Sequence, residues 1–261
     1  MILARYALLY LLPLAALISG CGDDDGAAVP APDTTLARYY PLELDRPAYY
    51  AVDSVVLFRT VGGVRYDSSR SEARETLVGT FVGADGQTYY RGERWVRSTT
   101  DDPFRFKQTF TVTFDGRTVV RSEDNLSFTK LVLPLREGNR WDGNAAFDAT
   151  RPVPVGGEFL DVYQGWEYAY TDLDTTYTLA NGTAVGEVVT VRQAEVENLI
   201  DLRRAYERYA PGYGQVERYL DARYTQYEVC CNRDTEQGQA LSWDEKAEKG
   251  YIIHERLLRR D

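Results

Sequence analysis

Residues 104–114 read Phe-Arg-Phe-Lys-Gln-Thr-Phe-Thr-Val-Thr-Phe, and this stretch decides the fold class. Apart from Gln108, its even positions are apolar, whereas its odd positions carry Arg, Lys and Thr. An alternation of this length predicts a β-strand with one face in a core and the other face in solvent. The core face is expected to carry Phe104, Phe106, Phe110, Val112 and Phe114.

Dipeptides that favour tight turns punctuate the rest of the chain. They are Gly62-Gly63, Asp85-Gly86, Asp115-Gly116 and Asn181-Gly182. Such pairs tolerate the positive φ that type I′ turns require, and this turn matches the twist of paired strands. They predict hairpins that pair 50–61 with 64–69, 74–84 with 87–98, 104–114 with 117–124, and 175–180 with 183–193. Further strands are expected near 126–133, 159–171, 199–209, 213–231 and 250–258.

The fold is therefore expected to be mainly β, with an antiparallel, hairpin-rich curved sheet that forms a half-barrel or a two-layer sandwich. One short C-terminal helix is expected within the polar segment 232–249. Ser242 and Glu245 have the spacing of a capping box, and Gly250 could end the helix.

The N-terminal segment indicates where the protein is located. Residues 1–20 have one charge, Arg5, and an apolar run over 7–18 that is short of the ~20 residues needed to span a bilayer, so they predict a signal peptide. Residues 17–21, Leu-Ile-Ser-Gly-Cys, resemble the lipobox of bacterial lipoproteins. The resemblance implies lipidation of the Cys21 thiol, cleavage before Cys21 and acylation of the new amino terminus.

Residues 21–38 predict a disordered tether, because they are acidic and then rich in Ala and Pro, with no apolar periodicity. The acidic run 23–25 resembles the export tract of some surface lipoproteins. We expect a lipid anchor in the outer membrane with the body exposed at the cell surface, or facing the periplasm as the alternative. The folded body is expected over 39–261.

A short motif occurs twice. Tyr-Tyr-Pro-Leu at 39–42 is similar to Val-Leu-Pro-Leu at 132–135, which continues as Arg-Glu-Gly-Asn-Arg-Trp through residue 141. Residues 209–216 read Tyr-Ala-Pro-Gly-Tyr-Gly-Gln-Val. These motifs resemble a group of uncharacterised bacterial envelope lipoproteins with aromatic-x-Pro-Leu-x-x-Gly-Asn-x-Trp and Tyr-Ala-x-Gly-x-Gly-x-Val patterns. The resemblance implies a fold and a location but no catalytic residue. The body is either two repeats, 39–130 and 131–258, or a single unit with a chance match.

Composition excludes several function classes. The chain of 261 residues has 30 Lys and Arg against 40 Asp and Glu, so nucleic-acid binding is not expected. One His and three Cys offer little for His-based catalysis or a metal site, and no cofactor is expected. The sequence also lacks the common nucleophile-elbow, phosphate-loop and zinc-protease motifs.

The remaining candidate residues have structural explanations beside functional ones. His254 is expected to be structural or at the surface. The pairs Asp101/Asp102, Asp142/Asn144 and Asp172/Asp174 could serve a glycosidase or bind Ca²⁺ weakly. Each pair adjoins a predicted turn, where such residues form local hydrogen bonds.

Two further groups of residues allow more than one interpretation. Cys230 and Cys231 are expected as free thiols on a strand, with a vicinal disulfide or a link to another chain as the alternative. The rings of Tyr163, Trp166, Tyr168 and Tyr170 form the candidate ligand-binding surface, with the last three expected on one strand face. The alternative for these rings is packing in half-buried strands.

These observations favour a non-catalytic, lipid-anchored protein that binds or scaffolds an envelope protein, a glycan or a lipid. One alternative is a carrier that holds a lipid or small hydrophobic ligand in its curved sheet. A second alternative is a carbohydrate-active enzyme that uses Asp/Glu pairs.

Overall fold

A computed structural model describes residues 35–261. The predicted signal peptide, the lipobox with Cys21 and most of the predicted tether lie outside the described residues. The strands are β1 Ala48–Thr60, β2 Gly63–Val82, β3 Thr88–Arg97, β4 Arg105–Phe114, β5 Thr118–Glu123, β6 Leu126–Val132, β7 Arg140–Trp141, β8 Val153–Val155, β9 Glu158–Leu160, β10 Tyr168–Thr178, β11 Ala184–Glu197, β12 Asp201–Ala210, β13 Gly214–Tyr224 and β14 Lys249–Arg260. The helices are α1 Thr35–Tyr39, α2 Glu228–Cys231, α3 Thr235–Ala240 and α4 Trp243–Lys246.

Twelve of these strands form one antiparallel sheet, in the order β6-β5-β4-β3-β2-β1-β14-β13-β12-β11-β10-β7. Sheet neighbours follow one another along the chain, with two exceptions. Strand β1 pairs with β14, and β7 pairs with β10 because the separate β8–β9 hairpin lies between them in sequence. The prediction of a mainly β, hairpin-rich antiparallel sheet is confirmed.

The sheet curves until its two edge strands, β6 and β7, lie side by side. The Thr129 amide donates to the Gly143 carbonyl at 2.9 Å, and the Trp141 indole donates to the Thr129 carbonyl at 2.8 Å. Val112 on β4 and Val191 on β11 are buried in one cluster although their strands are far apart in the sheet order. The sheet is therefore nearly barrel-shaped, and its core lies inside the curve.

The four predicted turns are present, and each depends on a glycine. Gly62, Gly86, Gly116 and Gly182 have φ values of 94°, 77°, 89° and 90°. Only glycine adopts these angles without strain, so the turn positions could be identified from the sequence. The turns also fix the register of the hairpins that they join.

The stretch 104–114 departs from its prediction at one end. Trp95 pairs with Phe106 and Arg94 with Gln108, so Lys107 is an extra residue in β4. Because of this bulge, the side chains that precede it point to the opposite side of the sheet from the side that strict alternation predicts. Phe106 is consequently 53% exposed, whereas Phe110 is 4% exposed. The expectation that all the apolar residues of this stretch share a core face is wrong.

The C-terminal excursion holds three helices rather than one. Strand β13 ends at Tyr224 instead of continuing to 231, because Tyr227 turns the chain with φ 59° into α2. The capping box of Ser242 and Glu245 is confirmed at α4. None of the helices between residues 35 and 261 is long and apolar enough to cross a membrane.

The folded body begins before the predicted boundary at residue 39. Helix α1 places the Leu36 side chain in the core, where it is fully buried. The first copy of the repeated motif precedes β1, whereas the second copy begins at the last residue of β6 and ends in β7. Leu42 from one copy and Leu135 from the other pack against the same core cluster. Whether the halves are true repeats stays a prediction.

Candidate functional site

The concave side of the sheet encloses a cavity of about 800 Å³. Its volume lies within the range of small-molecule sites in proteins, roughly 300–1,000 Å³. The apolar wall includes Val52, Val96, Phe128, Tyr163, Leu220 and Ile253. The β8–β9 hairpin adds Val153 and Val155 to this wall. Because these side chains come from both halves of the sheet, the curvature of the whole body forms the cavity.

Polar side chains surround the mouth of the cavity. Asp102, Arg105, Lys107 and Asp124 line it and are exposed to solvent. Arg97 also lines the cavity and donates to the Glu72 carboxylate at 2.7 Å. The mouth of the cavity is thus charged and exposed to solvent, whereas the wall beyond it is apolar.

Eight charged side chains lie inside the curve of the sheet beside the cavity. The cations are Arg94, Arg121, Lys130 and Arg218, and the carboxylates are Glu75, Glu123, Glu207 and Glu255. We call this set the internal ion network. Opposite charges balance within it, which buried charges require. Arg94, Glu123, Arg218 and Glu255 also line the cavity.

Glu75 is the most heavily hydrogen-bonded carboxylate of the internal ion network. Arg121 donates to its two oxygens at 2.7 and 2.8 Å, and Arg94 donates at 2.7 Å. Burial alone would raise the pKa of the Glu75 carboxyl. The guanidinium of Arg121, assisted by Arg94, outweighs burial and lowers this pKa from 4.5 to about 2. Glu75 is therefore ionised at neutral pH.

A second pair crosses the interior from β6 to β12. The Lys130 ammonium donates to Glu207 at 2.7 Å, and the Tyr209 hydroxyl donates to the other oxygen of the same carboxylate. Burial would raise the pKa of Glu207, but the charges of Lys130 and Arg218 keep it below its ordinary value. The pair joins the two halves of the sheet through charge as well as through apolar packing.

Arg218 differs from the other three cations. Its guanidinium lies 3.6 Å from Glu123 and 3.9 Å from Glu207, which is beyond hydrogen-bond distance. Among residues 35–261 no hydrogen bond engages its five N–H donors, and its side chain is 22% exposed, toward the cavity that it lines. The Arg218 donors therefore remain open to a molecule in the cavity.

Side chains alternate between the two faces of each strand, and this alternation directs the charged residues of the internal ion network to the inner face of the sheet. On β5 the buried positions are Val119, Arg121 and Glu123, and on β12 they include Glu207 and Tyr209. None of these charged residues was predicted from the sequence, because inward positions of the strands were expected to be apolar. One pattern in the sequence could have indicated them. A charged residue two positions after an apolar residue in a predicted strand lies on the same face of the sheet as that apolar residue.

The four predicted ligand-binding rings have different environments. Tyr163 lines the cavity, and burial raises the pKa of its hydroxyl to about 12. Trp166 precedes β10, is half-buried, and contacts Tyr163 with ring centroids 5.1 Å apart. Tyr168 and Tyr170 are fully buried in the core, and Trp166 packs against the same cluster with its ring centroid 5.9 Å from that of Tyr168, so ligand binding by these three rings stays a prediction. Of the four rings, Tyr163 is the one that lines the cavity.

Tyr168 and Tyr170 instead close the sheet. The Tyr170 hydroxyl bonds to the Val132 backbone at the end of β6, and the Tyr168 hydroxyl donates to Asn144 at 3.0 Å. Both rings contact Trp141, with centroids 5.8 and 4.9 Å away. These aromatic residues hold the edge strands together where backbone pairing between them is incomplete.

The remaining candidates behave mostly as turn or surface residues. Asp102 accepts a hydrogen bond from the Thr99 amide at 3.1 Å, and Asp142 accepts one from the Asn144 amide at 2.9 Å, as expected for turns. His254 lies 2.6 Å from the Glu217 carboxylate. Glu255, the next residue, lines the cavity, so His254 faces the opposite side of the sheet.

Cys230 and Cys231 form a disulfide with each other, so the expectation of free thiols is wrong. The expectation assumed a strand, on which adjacent side chains point to opposite faces. Both residues instead lie in helix α2.

No model of a known protein family matches the chain, and no curated protein matches it. One solved structure is similar, a Bacteroides fragilis protein described as a "putative exported protein with YmcC-like fold". The similarity has a TM-score of 0.42 at 9% identity and covers 85% of this chain and 98% of the other.

Proposed function

We propose that this protein is a lipid-anchored envelope protein whose body binds a small amphipathic or hydrophobic molecule without transforming it. The observation that carries the proposal is the cavity of about 800 Å³ with an apolar wall. Burying an apolar ligand there would be favourable by roughly 25 cal/mol for each Å² removed from water.

The chemistry of the carboxylates supports binding rather than glycoside hydrolysis. A glycosidase needs one carboxylic acid with a raised pKa beside a second carboxylate. Glu123 and Glu255 line the cavity, but Arg121 and Arg94 bind them. Within the part of the chain that the structure describes, every carboxyl with a shifted pKa is shifted downward.

The binding proposal is tested by displacement of a fluorescent naphthylamine from the purified body with dodecanol, an uncharged alkyl chain. Val155→Trp should fill part of the cavity and weaken dodecanol binding. Phe159→Trp is the matched control, because Phe159 lies on the same hairpin, is 67% exposed and is outside the cavity lining. Equal dodecanol affinity in both variants, or no binding by the wild type, would contradict the proposal.

The anchor and the location are tested separately in cells. Radiolabelled palmitate should label the wild-type protein, and Cys21→Ser should abolish the label. Protease added to intact cells should remove the body if it is exposed at the surface. Protection until the outer membrane is opened would favour the periplasm-facing alternative, and absence of label on the wild type would contradict the anchor.

A further inference from the structure

We infer that the ligand carries an anionic head group, a carboxylate or a phosphate, which binds Arg218 at the inner end of the cavity. This inference rests on the proposed function and names the chemical class of the ligand. It assigns an orientation as well, with the acid group inside and the alkyl chain directed toward the mouth.

The cations that line the cavity differ in whether their hydrogen-bond donors are already engaged. Arg94 donates to Glu75 and Glu255, and Arg97 donates to a carboxylate near the mouth. Arg105 and Lys107 are exposed, so water can satisfy their donors. Arg218 alone among these lining cations combines partial burial with donors that no hydrogen bond engages in residues 35–261.

The chemistry of the guanidinium favours a carboxylate or a phosphate as its partner. Arg presents donors in a planar fork that matches the two oxygens of a carboxylate or phosphate. The Glu123 and Glu207 carboxylates balance the charge of Arg218, but they lie too far away to occupy the fork. An anion that entered the cavity would therefore gain charge-assisted hydrogen bonds and leave the existing ion pairs in place.

The wall of the cavity that contains Arg218 suits a hydrocarbon chain. Tyr163 and Leu220 belong to the apolar wall of the same cavity. The site thus joins one cation with open donors to a large apolar surface. A ligand with a single acid group and a hydrocarbon body matches both features.

The test compares ligands with the same alkyl chain and different head groups. Measured by displacement of the fluorescent naphthylamine, the affinities of dodecanoate and dodecyl phosphate should be at least about tenfold higher than that of dodecanol. This is the increment expected of charge-assisted hydrogen bonds. Dodecyltrimethylammonium should bind more weakly than dodecanol. Acetate and inorganic phosphate, which lack the alkyl chain, should not displace the fluorescent naphthylamine at comparable concentrations. The dodecyl anion that binds with the higher affinity identifies the type of head group.

Variants locate the head group. Arg218→Gln should reduce the preference for dodecanoate over dodecanol, measured with both ligands on the same variant, to about twofold or less. Arg218→Lys, which keeps the charge of the internal ion network, should fold if the Gln variant does not, and should retain only part of the preference. Arg105→Gln is the control at the mouth and should keep the full preference.

Two results would overturn the inference and leave the proposed function intact. The first is equal affinity of the wild type for dodecanol and the two dodecyl anions. The second is loss of the anion preference in Arg105→Gln while Arg218→Lys retains it in full, which would place the head group at the mouth. Failure of all dodecyl ligands to bind would instead overturn the proposed function.

Discussion

The Tyr170 hydroxyl forms two hydrogen bonds with the backbone of Val132, accepting from its amide at 2.9 Å and donating to its carbonyl at 2.8 Å. One phenol thereby takes the place of a neighbouring strand at the end of β6. Edge strands present unpaired backbone groups that proteins usually protect, and here a side chain does so.

Tyr170→Phe should therefore weaken closure of the sheet. Loss of the hydroxyl leaves the Val132 amide and carbonyl without partners, so we expect the free energy of unfolding to fall by about 2–4 kcal/mol. Urea denaturation measures this change. Tyr90→Phe is the control, because Tyr90 is half-buried and its hydroxyl has no hydrogen bond within residues 35–261; the expected change is below about 0.5 kcal/mol. Equal effects of the two variants would refute a role for Tyr170 in closure.

The internal ion network predicts a dependence of stability on pH. The Glu75 pKa is lowered from 4.5 to about 2 in the folded protein, so its contribution to stability is fully present above pH 4.5. It should be lost as the pH falls from 4.5 toward 2. In Glu75→Gln this part of the acid-induced loss should be reduced. An unchanged pH profile of the variant would contradict the prediction.

At neutral pH the same variant should be destabilised by about 3–5 kcal/mol, because Arg121 and Arg94 would lose a buried carboxylate partner. Glu43→Gln is the control, since Glu43 pairs with Arg46 at the exposed surface and contributes at most about 1 kcal/mol. Chemical denaturation at several pH values measures both effects.

Gly92→Ala tests the packing of the inner face. A Cβ at Gly92 would lie 2.2–2.6 Å from atoms of the Phe110 ring on the neighbouring strand. The ring would have to move, and we expect a cost of about 1–3 kcal/mol in thermal or urea unfolding. Gly186→Ala is the matched strand control, because a Cβ there meets no atom within 4 Å. A cost at Gly186 as large as that at Gly92 would show that strand geometry, and not the ring, is responsible.

The Cys230–Cys231 disulfide predicts the thiol chemistry of the isolated body. With Cys21 removed, these are the two remaining cysteines of the chain. Iodoacetamide should label neither residue in the unfolded, unreduced protein and both after reduction, as measured by mass spectrometry. The unreduced protein should also migrate as a monomer on a denaturing gel. Labelling before reduction would show free thiols, and a dimer that reductant dissolves would show a link between chains.

Hairpins could be predicted from the sequence because their information is local. Asn181 and Gly182 provide a turn that few other pairs form, and alternation in the flanking residues identifies the strands. The bulge at Lys107 could not be predicted, since it depends on how β4 pairs with β3. The apolar pattern alone predicts Phe106 on the core face, whereas its side chain lies on the exposed face.

The candidate site was predicted least well, for a related reason. Arg121 and Glu75 are 46 residues apart, and the sequence does not reveal that they meet. A charged residue at an inward position of a strand contradicts simple patterning unless its partner is known. The aromatic residues were visible in the sequence, but assigning Tyr163 to the cavity and Tyr170 to closure required the curvature of the sheet.

The pairing of β1 with β14 has a consequence for the order of assembly. The first strand of the body borders the last, and ten backbone positions of β1 match positions in β14. Until β14 has left the ribosome, one side of β1 has no neighbour and is free to pair with another chain. A nascent chain of this protein therefore exposes an unpaired strand edge on β1 until β14 is synthesised.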